Sequence, residues 1–136
     1  MHVLIVEDSK ANRLMLHQTL VRFRFKVTDT ESAAAAIWQI EKGIAFDLMI
    51  VDYQMERMTG IELVRRIRAM PNFVHTPILM ISGERLSMNL LEEALAAGIT
   101  DFLAKPFGIE VLEEKLLSMG IEPEPDPGPS KAPGKG

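Results

Sequence analysis

The sequence predicts an α/β fold, in which a parallel five-stranded sheet is covered by helices on both faces. Short apolar runs alternate with longer segments of helical period through residues 1–121. Most of these runs consist almost entirely of hydrophobic residues, which is typical of strands buried on both faces. Because a helical segment follows each run, the alternation favours parallel strands joined by right-handed crossovers.

Five apolar runs of strand length form the predicted sheet. Four of them contain almost no polar residue, whereas the second alternates between apolar and polar residues as an edge strand does. In chain order the runs are 3–6, 25–28, 48–51, 78–81 and 99–104.

Five helices are predicted, each from a signal at one of its ends. Ser9 is the expected N-cap of the first, and Thr59 with Glu62 forms a capping box for the third. Glycine or proline ends the later segments, at Gly43, Pro71, Gly98 and Gly120. The helices are expected at about 10–22, 31–42, 60–70, 86–97 and 109–119.

The composition excludes several classes of function. The 136 residues are 47% hydrophobic and 25% charged, as in an ordinary globular domain. Trp38 and the nine methionines are expected to serve in packing and not as cofactor contacts. Without cysteine there is no disulfide, no thiolate metal site and no cysteine nucleophile, which is compatible with the cytoplasm. A net charge of -4 argues against direct nucleic-acid binding. The apolar stretch 1–6 is too short for a signal peptide or a membrane span.

The carboxyl-terminal segment 122–136 differs from the rest of the chain. It holds five of the eight prolines and no large apolar residue, so burial cannot offset the entropy lost on ordering it. We expect one domain, 1–121, followed by a flexible Pro/Gly-rich tail, 122–136. The same segment would equally serve as a linker to a further domain.

Polar side chains follow four of the five predicted strands, and the carboxyl ends of parallel strands meet at one edge of a sheet. Three carboxylates gathered there would repel one another, so a cation is expected among them, and Mg2+ prefers such oxygen ligands. An ammonium and a hydroxyl at the same edge suit phosphate oxygens. The residues at this edge are Glu7, Asp8, Asp52, Ser82 and Lys105.

Asp52 is the expected phosphoryl acceptor, because it ends the central strand between the acidic pair and the pair formed by Ser82 and Lys105. Carboxylates form acyl phosphates, and such transfer depends mainly on positioning and on neutralising the charge of the phosphoryl oxygens. No separate general base is needed.

At these residues the sequence resembles the receiver domains of two-component response regulators, over roughly residues 1–120. Asp8 and Asp52 are 44 residues apart, and Ser82 and Lys105 follow after a further 30 and 23, as in that family. The matching fragments, in family order, are LIVEDS (4–9), DYQM (52–55) leading to Met58 and Gly60, ISG (81–83) and FLAKPF (102–107).

The resemblance implies a flavodoxin-like doubly wound sheet in the order 2-1-3-4-5, with Mg2+ as the cofactor. Asp52 would be the phosphoacceptor and a metal ligand, Asp8 a direct ligand, Glu7 a ligand through water, and Gln54 a ligand through its backbone carbonyl. The chain departs from the family at Glu56, where proline is usual. We expect that side chain to point to solvent; the alternative is that it weakens Mg2+ binding.

The resemblance also implies residues that act on the phosphoryl group. Ser82 and Lys105 would contact it, and Ser82 with Phe102 would form the switch that reports phosphorylation. Gln54 and Glu84 would modulate dephosphorylation, because they lie two residues beyond the acceptor and two beyond Ser82.

The implied function is acceptance of a phosphoryl group from a sensor histidine kinase or a histidine phosphotransfer protein, in the cytoplasm. The domain would catalyse only its own phosphorylation and dephosphorylation. It would signal to a downstream protein target. The sequence does not decide whether the domain also forms a homodimer through helices 4 and 5. One alternative is a phosphate-independent interaction module or phosphate sink of the same fold. Another is a small-molecule phosphohydrolase, but the sequence shows neither a residue placed to act as its general acid nor a P-loop pattern.

Several basic residues near the first helix can be interpreted in two ways. They are either a solvated face or a docking surface for an acidic partner. These residues are Lys10, Arg13, Arg22 and Arg24.

Overall fold

The computed structural model describes residues 1–83 and 87–123, which form alternating strands and helices. The strands are β1 (His2–Val6), β2 (Lys26–Thr30), β3 (Leu48–Asp52), β4 (Ile78–Ser82) and β5 (Asp101–Ala104). The helices are α1 (Lys10–Arg22), α2 (Ala33–Glu41), α3 (Gly60–Arg68), α4 (Met88–Ala97) and α5 (Ile109–Ser118), with a short 3-10 turn at Pro71–Phe73.

All five strands pair in parallel, in the order β2-β1-β3-β4-β5, which confirms the predicted fold class. The register aligns their carboxyl ends: Val6 pairs with Val51, and Ser82 pairs with Ala104. The residues that follow β1, β3 and β5 are therefore delivered to the same edge of the sheet.

The core consists of two apolar layers, one on each face of the sheet. Alternate residues of the strands enter opposite layers, so that Leu4 and Val6 join the cluster under α2, α3 and α4, while Val3 and Ile5 join the cluster under α1 and α5. The three central strands β1, β3 and β4 are buried along their length except for the half-buried His2, whereas β2 lies at the edge and is largely half-buried or exposed. This burial confirms the predicted pattern for β1, β2, β3 and β4. The fifth run was predicted to be buried on both faces, but β5 is the other edge strand, and Leu103 is its one buried residue.

The helix starts differ from the sequence prediction where a serine provides the cap. The hydroxyl of Ser32 accepts a hydrogen bond from the backbone N of Ala35 at 3.0 Å, so α2 begins at Ala33 and not at 31. Ser87 accepts from the N of Leu90 at 3.1 Å, and α4 begins at Met88. The predicted Ser9 cap and the capping box of Thr59 are both present.

Trp38, which was expected to serve in packing, lies mostly outside the core. Helix α2 buries Ala33, Ala36 and Ile40, which leaves Trp38 on its outer face with 59% of its surface exposed. Lys42, one turn later, covers the indole, with its Nζ 4.4 Å from the ring centroid.

The end of the described chain closes against the second apolar layer. Ile121 is buried among residues of that layer. Residues 124–136 lie outside the described residues, so the boundary at 121 and the tail stay predictions. Within the ranges 1–83 and 87–123, no helix combines the length and apolar character needed to cross a membrane.

Candidate functional site

The acidic residues after β1 and β3 converge at the carboxyl edge of the sheet. Glu7, Asp8 and Asp52 each offer a carboxylate oxygen, and these three atoms all lie within 4.8 Å of one another. Glu7 and Asp52 are buried, whereas Asp8 is exposed at the open side of the cluster. The predicted three-carboxylate cluster is therefore formed.

Lys105 reaches into this cluster from the end of β5. Its Nζ donates to Oε1 of Glu7 at 3.0 Å and to Oδ2 of Asp52 at 3.3 Å. Among the described residues, the ammonium of Lys105 thus pairs with two buried carboxylates.

The pKa of Asp52 is raised to about 7 in this environment. Burial is the main cause, and a hydrogen bond with Glu7 and repulsion from its charge add to it, while Lys105 acts in the opposite direction. Burial alone would lower the pKa of Lys105, but hydrogen bonding to Glu7 and the charges of both carboxylates raise it. A further cation at this edge would favour the ionised form of Asp52.

The donor set fits Mg2+. Its groups are carboxylate oxygens, which a hard divalent cation prefers, and the exposed Asp8 leaves the cluster open to solvent. A cleft of about 420 Å³ adjoins Asp8 and is lined by the loop after β3, including Tyr53, Gln54 and Glu56. This cleft gives room for metal-bound waters and for a phosphoryl group.

The loop after β3 is held close to Asp52 by a glycine. A Cβ at position 60 would lie 2.4 Å from the backbone O of Asp52 and 2.9 Å from the Cα of Tyr53, so the loop needs Gly60 there. The N of Gly60 donates to the O of Tyr53 at 2.8 Å. At the acceptor itself, the N of Gln54 donates to Oδ1 of Asp52 at 3.4 Å.

The same loop contains a tight turn at Arg57. The N of Met58 donates to the O of Glu56 at 2.8 Å, and Arg57 between them has φ of 72°. This is a γ-turn with a left-handed central residue, which is strained for a residue other than glycine. Glu56 is exposed, as expected for a side chain that points to solvent.

Of the remaining predicted residues, Ser82 and Phe102 lie on β4 and β5, and Gln54 lies in the loop after β3. Ser82 is buried at the end of β4, next to β3, and its O accepts from the N of Lys105 at 2.7 Å. Phe102 lies two residues earlier along the paired strands, opposite Met80, where it is half-buried against the first apolar layer. Gln54 is exposed at the cleft. Glu84 lies outside the described residues.

Arg13 was missed as a site residue. Its Nη1 donates to the backbone O of Glu7 at 2.8 Å and to that of Asp8 at 3.4 Å. The sequence contains only a partial signal, because Arg13 lies about one helical turn beyond the cap Ser9, while the contact itself depends on how β1 enters α1.

Comparisons with known proteins point to one family. The model of the response regulator receiver domain matches residues 3–117. The chemotaxis protein CheY1 of Helicobacter pylori strain J99 is 33% identical over 117 residues, which cover 85% of this chain and 94% of that protein. The chemotaxis protein CheY of Pseudomonas aeruginosa is also 33% identical, with 85% and 93% covered.

Solved structures agree with the sequence comparisons. The chemotaxis protein CheY4 of Vibrio cholerae superimposes with a TM-score of 0.82 at 35% identity, covering 87% of this chain and 97% of that one. The receiver domain of the sensor histidine kinase PA1611 of Pseudomonas aeruginosa gives 0.77 at 28% identity, covering 88% and 97%. That structure has a magnesium ion coordinated in its active-site cleft.

Proposed function

Since this chain belongs to the response regulator receiver family, we propose that Asp52 accepts a phosphoryl group from a phosphohistidine. The donor would be a sensor histidine kinase or a histidine phosphotransfer protein. The observation that carries the proposal is the environment of Asp52, a buried carboxylate with Lys105 Nζ at 3.3 Å and two further carboxylates within 4.8 Å.

In the proposed transfer, a carboxylate oxygen of Asp52 attacks the phosphorus while the bond from phosphorus to the donor imidazole nitrogen breaks. The imidazole leaves with the electron pair of that bond and takes up a proton from solvent. Asp52 must be ionised to attack, and Lys105 favours this form and can pair with a phosphoryl oxygen as charge develops there.

Mg2+ is the proposed cofactor, held by Asp8 and Asp52 directly, by Glu7 through water, and by the backbone carbonyl of Gln54. When bound, it would neutralise the carboxylates and the phosphoryl oxygens. The observation that supports this assignment is geometric, because Glu7, Asp8 and Asp52 bring three carboxylate oxygens within 4.8 Å of one another.

Phosphorylation is proposed to act through Ser82 and Phe102. The hydroxyl of Ser82 would move to the phosphoryl group, and the half-buried Phe102 would fill the space that this movement opens. Gln54 at the cleft, together with Glu84, would set the rate at which water removes the phosphoryl group. No other chemistry is proposed for the domain beyond its own phosphorylation and dephosphorylation.

The proposed output surface is formed by α4, β5 and α5. It carries exposed apolar side chains, which suit a downstream protein target or a second copy of the chain. Four of them are Met88, Leu95, Ile109 and Val111. A cytoplasmic location is proposed as well, in line with the absence of cysteine.

The proposal is tested by phosphotransfer from candidate histidine kinases carrying a labelled phosphoryl group. The parent protein should take the label, Asp52→Asn should not, and Asp47→Asn should behave as the parent. Asp47→Asn is a matched control because it makes the same charge change as Asp52→Asn, but next to His2, at the opposite end of β1. Equal labelling of parent and Asp52→Asn would overturn the assignment of the acceptor.

A further inference from the structure

We infer that Arg13 is a positioning residue of the phosphoryl site, which orients the metal-binding carboxylates by holding the backbone carbonyls of Glu7 and Asp8. The inference rests on the proposed function. It differs from the docking interpretation of Arg13, in which the side chain would be a free charge for a partner.

The side chain of Arg13 links α1 to the acidic loop, residues 7–8 after β1, through two hydrogen bonds. The backbone N of Arg13 donates to the O of Ser9 at 2.8 Å, as the first turn of the helix requires. Its Nη1 donates to the O of Glu7 at 2.8 Å and, more weakly, to the O of Asp8 at 3.4 Å. One rigid guanidinium therefore fixes two successive peptide units next to the site.

Peptide orientation matters here because it sets the direction in which the side chains of Glu7 and Asp8 leave the backbone. Glu7 has further restraints, since its Oε2 accepts from the N of Ser9 at 3.0 Å and its Oε1 from Lys105. Asp8 is exposed, so its placement depends more on the backbone of the loop. Loss of the Arg13 contacts should therefore act most strongly on metal binding.

Lys10 provides a matched control. It lies on the same helix, one turn before Arg13, and carries the same charge, but it is exposed whereas Arg13 is half-buried. If only the positive potential of α1 matters, neutralising either residue should have the same effect on the site. If the held carbonyls matter, Arg13 should differ from Lys10.

The experiment measures Mg2+ binding by calorimetry for the parent, Arg13→Gln, Arg13→Lys and Lys10→Gln, each first checked for folding by circular dichroism. We expect Arg13→Gln to raise the Mg2+ dissociation constant on the order of tenfold and Lys10→Gln less than twofold. Arg13→Lys should lie between them, because an ammonium keeps the charge and can donate to a carbonyl, but its shorter and more flexible stem does not hold the position that Nη1 occupies.

A second measurement follows phosphorylation by a small-molecule phosphoryl donor, which removes any docking partner. For Arg13→Gln, the Mg2+ concentration for half-maximal rate should rise, while the rate at saturating Mg2+ stays within about twofold of the parent. A purely structural defect would lower the saturating rate as well.

The outcomes separate this inference from the proposed function. Equal Mg2+ affinities for Arg13→Gln and Lys10→Gln, or full recovery of affinity in Arg13→Lys, would overturn the positioning role. Failure of the parent to become phosphorylated by any donor would overturn the proposed function, while the Mg2+ affinities would still decide the role of Arg13.

Discussion

The ammonium of Lys105 lies 3.0 Å from Oε1 of Glu7, a carboxylate that is fully buried. Lys105 is therefore part of a buried ion pair as well as a candidate phosphate ligand. Removing it would leave Glu7 buried without its cation, which is among the costly changes that a folded protein can undergo. The site thus contributes to stability as well as to the proposed chemistry.

Replacing Lys105 should consequently destabilise the fold. We expect Lys105→Met to lower the free energy of unfolding by about 3 kcal/mol in urea titrations, since it breaks a buried pair. Lys115→Met is the control, because the pair of Lys115 with Asp101 is partly exposed and its loss should cost less than about 1 kcal/mol. Equal losses for the two variants would contradict the burial argument.

The metal-free protein should lose stability as the pH rises from about 4 to above 7. The pKa of Asp52 is raised from 3.8 to about 7 in the folded state, so its proton favours folding below the unfolded pKa, and that contribution is lost as the pH passes the folded pKa. Asp52→Asn should remove this loss and be more stable than the parent at pH 8, by on the order of 2 kcal/mol.

Thermal and urea unfolding across this pH range, in the presence of a chelator, measures the difference. Identical pH profiles for the parent and Asp52→Asn would show that the carboxyl of Asp52 titrates at its ordinary pKa.

Asp8 should contribute to Mg2+ binding more than other exposed acids at the cleft. Asp8→Asn should weaken Mg2+ on the order of tenfold by calorimetry, because it removes a charged oxygen ligand from the cluster. Glu56→Gln makes the same charge change in the lining of the same cleft and should weaken binding less than about threefold. A Glu56→Gln effect as large as that of Asp8→Asn would point to a general electrostatic effect in place of ligation.

The strained turn at Arg57 should be relieved by glycine alone. Arg57→Gly should raise the free energy of unfolding by about 0.5 to 1 kcal/mol, because glycine adopts φ of 72° without strain. Arg57→Ala removes the same long side chain but keeps the Cβ, so it should bring no gain. A stabilisation of equal size in both variants, seen in urea titrations, would trace the effect to the arginine side chain.

Much of this structure follows from local sequence features. Uninterrupted apolar runs predicted the parallel sheet because strands buried on both faces need no alternation, and Glu7, Asp52 and Lys105 could be placed together because each ends or follows a strand. The helix starts at Ser32 and Ser87 were missed, although both residues are good caps.

Other features depend on the tertiary path of the chain. The exposure of Trp38 is an exception that periodicity could have predicted, because at 100° per residue it lies off the stripe formed by Ala33, Ala36 and Ile40. The contact of Arg13 with the acidic loop depends on how β1 enters α1, and the pairing of Lys105 with Glu7 joins residues 98 positions apart. Spacing alone could not distinguish that pairing from a role for Lys105 in phosphate binding only.

The most direct test of the account is the intact mass of the protein after incubation with a small-molecule phosphoryl donor and Mg2+. We expect the parent to gain the mass of one phosphoryl group, which hydroxylamine removes as it does from an acyl phosphate, and we expect Asp52→Asn to gain none. An added phosphoryl group that persists in Asp52→Asn, or one that resists hydroxylamine in the parent, would contradict the assignment of Asp52 as the acceptor.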